Sequence, residues 1–117
     1  MRMSIALVLA AAVAALLAAS ASAGKPTRLV ASVSDPFKIS LTLNGKKVTT
    51  LKAGSYSIKV EDTAADHDFH LTGPGINKAT SISKKETTTW LVILKKGTYK
   101  YVCDPHSSFM KGSFTVT

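Results

Sequence analysis

The sequence predicts an all-β fold, an antiparallel sandwich or barrel formed by residues 24–117 as one domain. Three observations carry that expectation. Beyond Gly24 the chain is rich in Thr, Ser, Val, Ile and Tyr, and its apolar residues alternate with polar ones instead of recurring at helical spacing. Gly, Pro and Asn interrupt these extended segments at intervals of roughly 8–12 residues.

Residues 1–23 stand apart from the rest. Arg2 precedes an unbroken run of Ala, Leu, Val and Ile from Ile5 to Ala19, and Ala21-Ser22-Ala23 follows as a small-x-small site. That order is the one a secretory signal peptide requires, so cleavage after Ala23 and export to the periplasm, the cell envelope or the medium are expected. The run is shorter than the roughly 20 apolar residues of a membrane-spanning helix, and no second such stretch follows. No Cys closes the run, which argues against a bacterial lipid anchor. The apolar fraction of 45% owes much to this leader, and the remaining domain is small for an enzyme but large enough to bury a core. The net charge of +8 suits an acidic partner or an anionic surface.

Strands are expected at 29–34, 37–43, 48–51 and 55–60, then at 67–71, 80–83, 87–94, 98–103 and 112–116. In the second, Phe37, Ile39, Leu41 and Leu43 fall on one face and Lys38, Ser40 and Thr42 on the other. Asn44-Gly45 is a hairpin signal, because both central positions of a type I′ turn take positive φ. The stretch from Leu51 to Tyr56 echoes that from Leu94 to Tyr99, each a Gly turn feeding a strand with Tyr two residues later. Gly73-Pro74-Gly75 reads as a turn. Trp90, Leu91, Val92, Ile93, Leu94, Tyr99 and Tyr101 read as core.

Cys103 is the only cysteine, which in an exported chain excludes an intramolecular disulfide. It can serve as a buried inert thiol, an intermolecular bridge or a metal ligand. Its neighbours bear on the choice: after Cys103, Pro105 ends the strand, and His106 and Met110 follow in a loop before Gly112. Thiolate, imidazole and thioether thus crowd one turn, and Asp66-His67-Asp68-Phe69-His70 supplies a further imidazole upstream. Two His and one Cys in a trigonal set with a weak axial Met is the donor chemistry of a blue-copper site, while zinc could use the same Cys and His residues. In an extended strand His67 shares its face with Phe69 and Leu71, and His70 shares its face with Asp68. His67 is therefore the expected ligand, with His70 exposed or in a supporting position. Asp62, Asp66 and Asp68 read as a solvated acidic loop near it. Three His are too few for a trinuclear copper cluster, and no nucleophile elbow is present, so an enzyme is not expected.

The pattern Cys103-x2-His106-x3-Met110-Lys111-Gly112, with a His in an upstream strand and an exported all-β setting, resembles the cupredoxins of the plastocyanin, amicyanin and pseudoazurin kind. The resemblance implies a Greek-key β-sandwich and one type 1 copper ion, cycling between Cu(I) and Cu(II), with His67, Cys103, His106 and Met110 as ligands. It also implies a one-electron carrier in which His106 lies near the surface, where Pro105 and Phe109 let a redox protein approach. The family's first ligand His is usually followed by an Asn that ties the two ligand loops. Asp68 stands in that place, a departure that bears on the hydrogen bonding between the loops and on the reduction potential. The spacing from His106 to Met110 is intermediate between the shorter amicyanin loop and the longer plastocyanin loop.

The expected function is thus a monomeric exported electron carrier, with Lys84, Lys85, Lys95, Lys96 and Lys111 steering an acidic protein partner. No nucleic acid and no stable membrane insertion are expected. An envelope copper-delivery module and a metal-free interaction domain are the alternatives.

Overall fold

Alternation along the strands decides which side of each is covered, and the covered sides face one another across two sheets. The computed structural model describes residues 24–117, and the expected leader lies outside them. Ten strands follow in order: β1 (Thr27–Ser34), β2 (Lys38–Leu43), β3 (Lys46–Lys47), β4 (Thr50–Leu51), β5 (Gly54–Asp62), β6 (His70–Gly73), β7 (Ile76–Ala79), β8 (Glu86–Leu94), β9 (Gly97–Val102) and β10 (Lys111–Val116). One 3-10 turn, Asp104–His106, precedes β10.

One sheet runs β3-β2-β1-β5-β8 and the other β4-β10-β9-β6-β7. The fold is the expected all-β sandwich, but its sheets are mixed where antiparallel ones were expected: β1 lies parallel to β5, β4 lies parallel to β10, and the remaining pairs are antiparallel. In β1 the alternate residues Leu29, Ala31 and Val33 are fully buried, as are Ile58 and Val60 of β5. From the facing sheet Leu71, Tyr99, Tyr101 and Phe114 complete the core. Tyr99 stacks on Phe114 and Tyr101 stacks on Phe69, with centroids 5.1 and 5.4 Å apart. Burying each such side chain is worth roughly 1.5–3 kcal/mol, so these stacks contribute much of the cohesion between strands.

The turn chemistry follows the sequence. Asn44 and Gly45 take φ of 50° and 79°, as a type I′ turn requires, and they join β2 to β3. The two echoed segments build the same device, since Tyr56 donates its hydroxyl to the Lys52 carbonyl at 2.6 Å and Tyr99 donates to the Lys95 carbonyl at 2.8 Å. Gly73 pairs with Ile76 across a hairpin whose loop is Pro74-Gly75. At Gly112 a Cβ would run into the Tyr101 ring, so this position at the start of β10 admits no side chain.

Four segments depart from expectation. The strand expected at 48–51 is confined to β4, and Val48 and Thr49 lie between it and β3 outside any strand. Residues 67–69 are not strand: β6 begins only at His70, because His67, Asp68 and Phe69 are all buried and turn inward together. The strand expected at 80–83 lies earlier, at β7, where Ile76 to Ala79 can pair with β6. Leu91 and Ile93, expected in the core, are 73% and 70% exposed. They occupy the outward positions of β8, whose inward positions are taken by Val92 and Leu94.

A buried polar relay anchors residues 67–69. The Phe69 N–H donates to Thr80 Oγ1 at 2.9 Å, and the Thr80 hydroxyl donates to Asp62 Oδ2 at 2.9 Å. Asp62 also accepts the Ala64 N–H, and burial pushes its carboxyl above the ordinary value despite these two bonds. Thr80→Val keeps the shape but leaves the Phe69 N–H and the Asp62 carboxylate each short of a partner. It is expected to lower the unfolding free energy in urea by about 1–3 kcal/mol, and a loss within ~0.5 kcal/mol would show that the relay does not support this segment.

Candidate metal centre

Two loops at one end of the sandwich bring the donors together. Cys103 leaves β9, and the loop after it closes on itself: the His106 N–H donates to the Cys103 carbonyl at 3.0 Å, the Met110 N–H to the His106 carbonyl at 2.9 Å, and the Cys103 N–H to the Met110 carbonyl at 2.9 Å. Pro105 supplies the fixed φ that a tight helical turn accepts. Cys103 and Met110 are buried and His106 is partly exposed. His67 arrives from the other side, fully buried, in the segment held by Thr80.

Three donor atoms converge. His67 Nδ1 lies 3.1 Å from His106 Nδ1, and Cys103 Sγ lies 3.5 Å from each. The point equidistant from all three is about 2 Å from each, close to the length of a metal–imidazole bond. Of two facing imidazole nitrogens at 3.1 Å at most one can carry a proton toward the other, so lone pairs are concentrated here. One sulfur and two imidazole nitrogens, with a thioether residue buried in the same loop, fit a single copper ion better than a closed tetrahedral zinc site. Burial pushes the Cys103 thiol up, while the backbone amides of Asp68 and His106 favour the thiolate.

Asp68 holds the loops together. Its Oδ1 accepts the Asp104 N–H at 2.6 Å, joining the segment that carries His67 to the loop that carries Cys103. The tie expected of an Asn at this place is therefore made by a carboxylate. Burial, then the neighbouring Asp104 carboxyl, raises Asp68 to about 6 against the opposing effects of the Asp104 amide and His70. Asp104 is held below its ordinary value, first by Asp68 and then by His70. His70 points away from the donor triangle. Its Nδ1 meets Asp104 Oδ2 at 2.9 Å and its Nε2 meets Asn77 Oδ1 at 2.6 Å, and these partners raise its pKa against the effect of burial.

The acidic loop is not uniformly solvated. Asp66 is exposed, but Asp62 and Asp68 are buried because each accepts hydrogen bonds from neighbouring backbone. Two neighbours of the site were not legible as such. Phe37 packs edge-on to His67, His106 and Phe109 at 5.8, 5.1 and 5.4 Å, and its only sequence signal is that it heads the alternating run of β2. Asp35 lies against His67, with no signal in the sequence.

Asp68→Ala removes the acceptor of the Asp104 amide and is expected to cost about 1–3 kcal/mol in chemical denaturation of the metal-free protein. Asp68→Asn keeps a carbonyl acceptor and should lose clearly less. Equal losses in the two variants would show that the hydrogen bond is not what joins the loops.

Comparison with known proteins agrees with this architecture. A family model described as a cupredoxin-like domain matches residues 6–116. Among solved structures, a point mutant of rusticyanin aligns with a TM-score of 0.60 at 23% identity, covering 80% of this chain and 79% of that one. Rusticyanin from Thiobacillus ferrooxidans aligns at 0.56 and 24%, over 80% and 79% of the two chains. Another rusticyanin structure, described as a copper protein, aligns at 0.57 and 22%, again over 80% and 79%. At these identities the likeness speaks for the fold. No curated protein sequence matches. With a family model spanning nearly its whole length and the sandwich in place, the chain belongs to the cupredoxin family.

Proposed function

We propose that the protein is an exported one-electron carrier in which His67 Nδ1, Cys103 Sγ, His106 Nδ1 and the Met110 thioether would hold a single type 1 copper. The observation that carries this reading is the triangle of two Nδ1 atoms and one Sγ with sides of 3.1 to 3.5 Å. When bound, copper supplies a couple between Cu(I) and Cu(II). The likeness to rusticyanin, a copper protein, points the same way.

The chain's own part is to hold, shield and expose. Soft sulfur from Cys103 and Met110 suits the reduced ion, and imidazole suits both states. The closed loop and the Asp68 tie fix the donors to the sandwich, which leaves little rearrangement for a change of charge at the metal. Burial of Cys103 and His67 keeps water from the thiolate. His106 is the partly exposed donor, and Phe37 and Phe109 beside it are 55% and 58% exposed, so two apolar rings form a rim beside the donor nearest the surface. A redox protein docking on that rim would bring its own centre near the His106 ring. Among the described residues no helix is long and apolar enough to cross a membrane. The leader 1–23 would direct the domain 24–117 across one.

Charge refines the partner. Asp62 pairs with Glu86 at one end of β5 and Gly54 with Leu94 at the other. Lys84 and Lys85, just before β8, and Lys111, just after Met110, therefore lie toward the donor end, whereas Lys95 and Lys96 lie at the far end. Steering of an acidic partner would rest on the first three, and salt would weaken it.

The test is spectroscopic. Domain 24–117 given one equivalent of Cu(II) is expected to develop an intense visible thiolate-to-copper band that ferrocyanide or ascorbate bleaches reversibly, and Cys103→Ser is expected to abolish it. A colourless Cu(II) adduct, or a band that survives Cys103→Ser, would overturn the proposal.

A further inference from the structure

His67 has a second ring nitrogen that the donor triangle leaves unused. Nε2 is fully buried and has no hydrogen bond of good geometry. A buried N–H without an acceptor costs about 1–3 kcal/mol, so what faces this atom matters. Asp35 Oδ1 lies 3.1 Å away and Asp66 Oδ1 lies 3.8 Å away. The Asp35 carboxylate is within hydrogen-bond distance but off the N–H direction, and at 69% exposure its side chain is free to turn into line. The two acids come from different parts of the chain: Asp35 from the turn between β1 and β2, Asp66 from the residue before His67. Both address the edge of the ring opposite Cys103.

A neutral imidazole carries one proton, and it can offer Nδ1 as a ligand only if that proton sits on Nε2. We propose that Asp35, assisted by Asp66, is the positioning residue that holds His67 as the Nε2–H tautomer and aims Nδ1 at Cys103 and His106. The inference rests on the ligand assignment above and deepens it. A carboxylate behind a ligating imidazole also makes it a stronger donor, which favours the more highly charged state of the metal. Asp35 is thereby predicted to lower the reduction potential as well as to tighten binding.

The first test needs no metal. In the metal-free protein at about pH 8, above the ordinary imidazole range, the ring 15N shifts of His67 should report the Nε2–H tautomer. Asp35→Ala combined with Asp66→Ala should convert this to a mixture, while Asp35→Asn, which keeps a carbonyl acceptor, should preserve it. In the copper-loaded protein the double variant is expected to keep its visible band but bind copper roughly 10- to 100-fold more weakly. Asp35→Asn alone should raise the potential while holding the tautomer, a combination that a merely structural role would not produce. Both acids are surface-exposed, and a single cooperative urea transition of the metal-free variants checks that they fold. If tautomer, affinity and potential are all unmoved in the double variant, the proposal is wrong. If the wild type shows the Nε2–H tautomer but no copper band, the ligand assignment fails while the role of Asp35 on the ring stands.

Discussion

Two imidazole nitrogens and a thiol sulfur held within 3.5 Å of one another crowd three lone-pair donors into one point. Lone pairs facing one another across such distances repel unless a proton or a metal ion lies between them. The fold must therefore impose the convergence, and much of its polar detail serves that end. The Asp62–Thr80–Phe69 relay fixes one loop to the sandwich, the Cys103–Met110 closure fixes the other, and Asp68 joins the two. Where each of these groups is buried it is hydrogen-bonded, and His67 Nε2 is the one buried side-chain nitrogen or oxygen among the described residues that is not.

Much of the fold could be read from residue patterning because strands bury alternate side chains, and the period survives wherever one face meets a core. β1, β2, β5, β8, β9 and β10 all lie where alternation and turn residues put them. The reading failed where that premise failed. His67 to Phe69 carry the apolar signature of a strand but turn inward together, because Thr80, thirteen residues beyond His67, captures the backbone there. Leu91 and Ile93 are apolar yet face outward, and nothing in their type distinguishes them from Val92 and Leu94 on the inward side.

The same distinction applies to the site. Cys103, His106 and Met110 lie in one loop, so their proximity is a matter of short-range spacing. His67 was reached by an argument from strand parity, yet the structure brings it to Cys103 by burial of a non-strand segment. Phe37 and Asp35 come from the β1–β2 turn, distant in sequence from every donor, and only the packing of that turn over the site reveals them. The Asp at position 68 looked like a departure from the family pattern, and it supplies the same inter-loop hydrogen bond through a carboxylate oxygen.

On the proposed reading, donors at one end of the sandwich, with the partly exposed His106 beside Phe37 and Phe109 and with Lys84, Lys85 and Lys111 toward that end, would combine a shielded metal site with a surface for brief contact with an acidic protein. The central claim is that one sulfur and two imidazoles of this chain bind one copper. Copper-edge X-ray absorption on the loaded domain, in both oxidation states, tests it most directly. The account predicts one short copper–sulfur distance and two imidazole nitrogens, with the short sulfur shell gone in Cys103→Ser. A first shell of nitrogen and oxygen alone, or one that differs grossly between the two oxidation states, would contradict it.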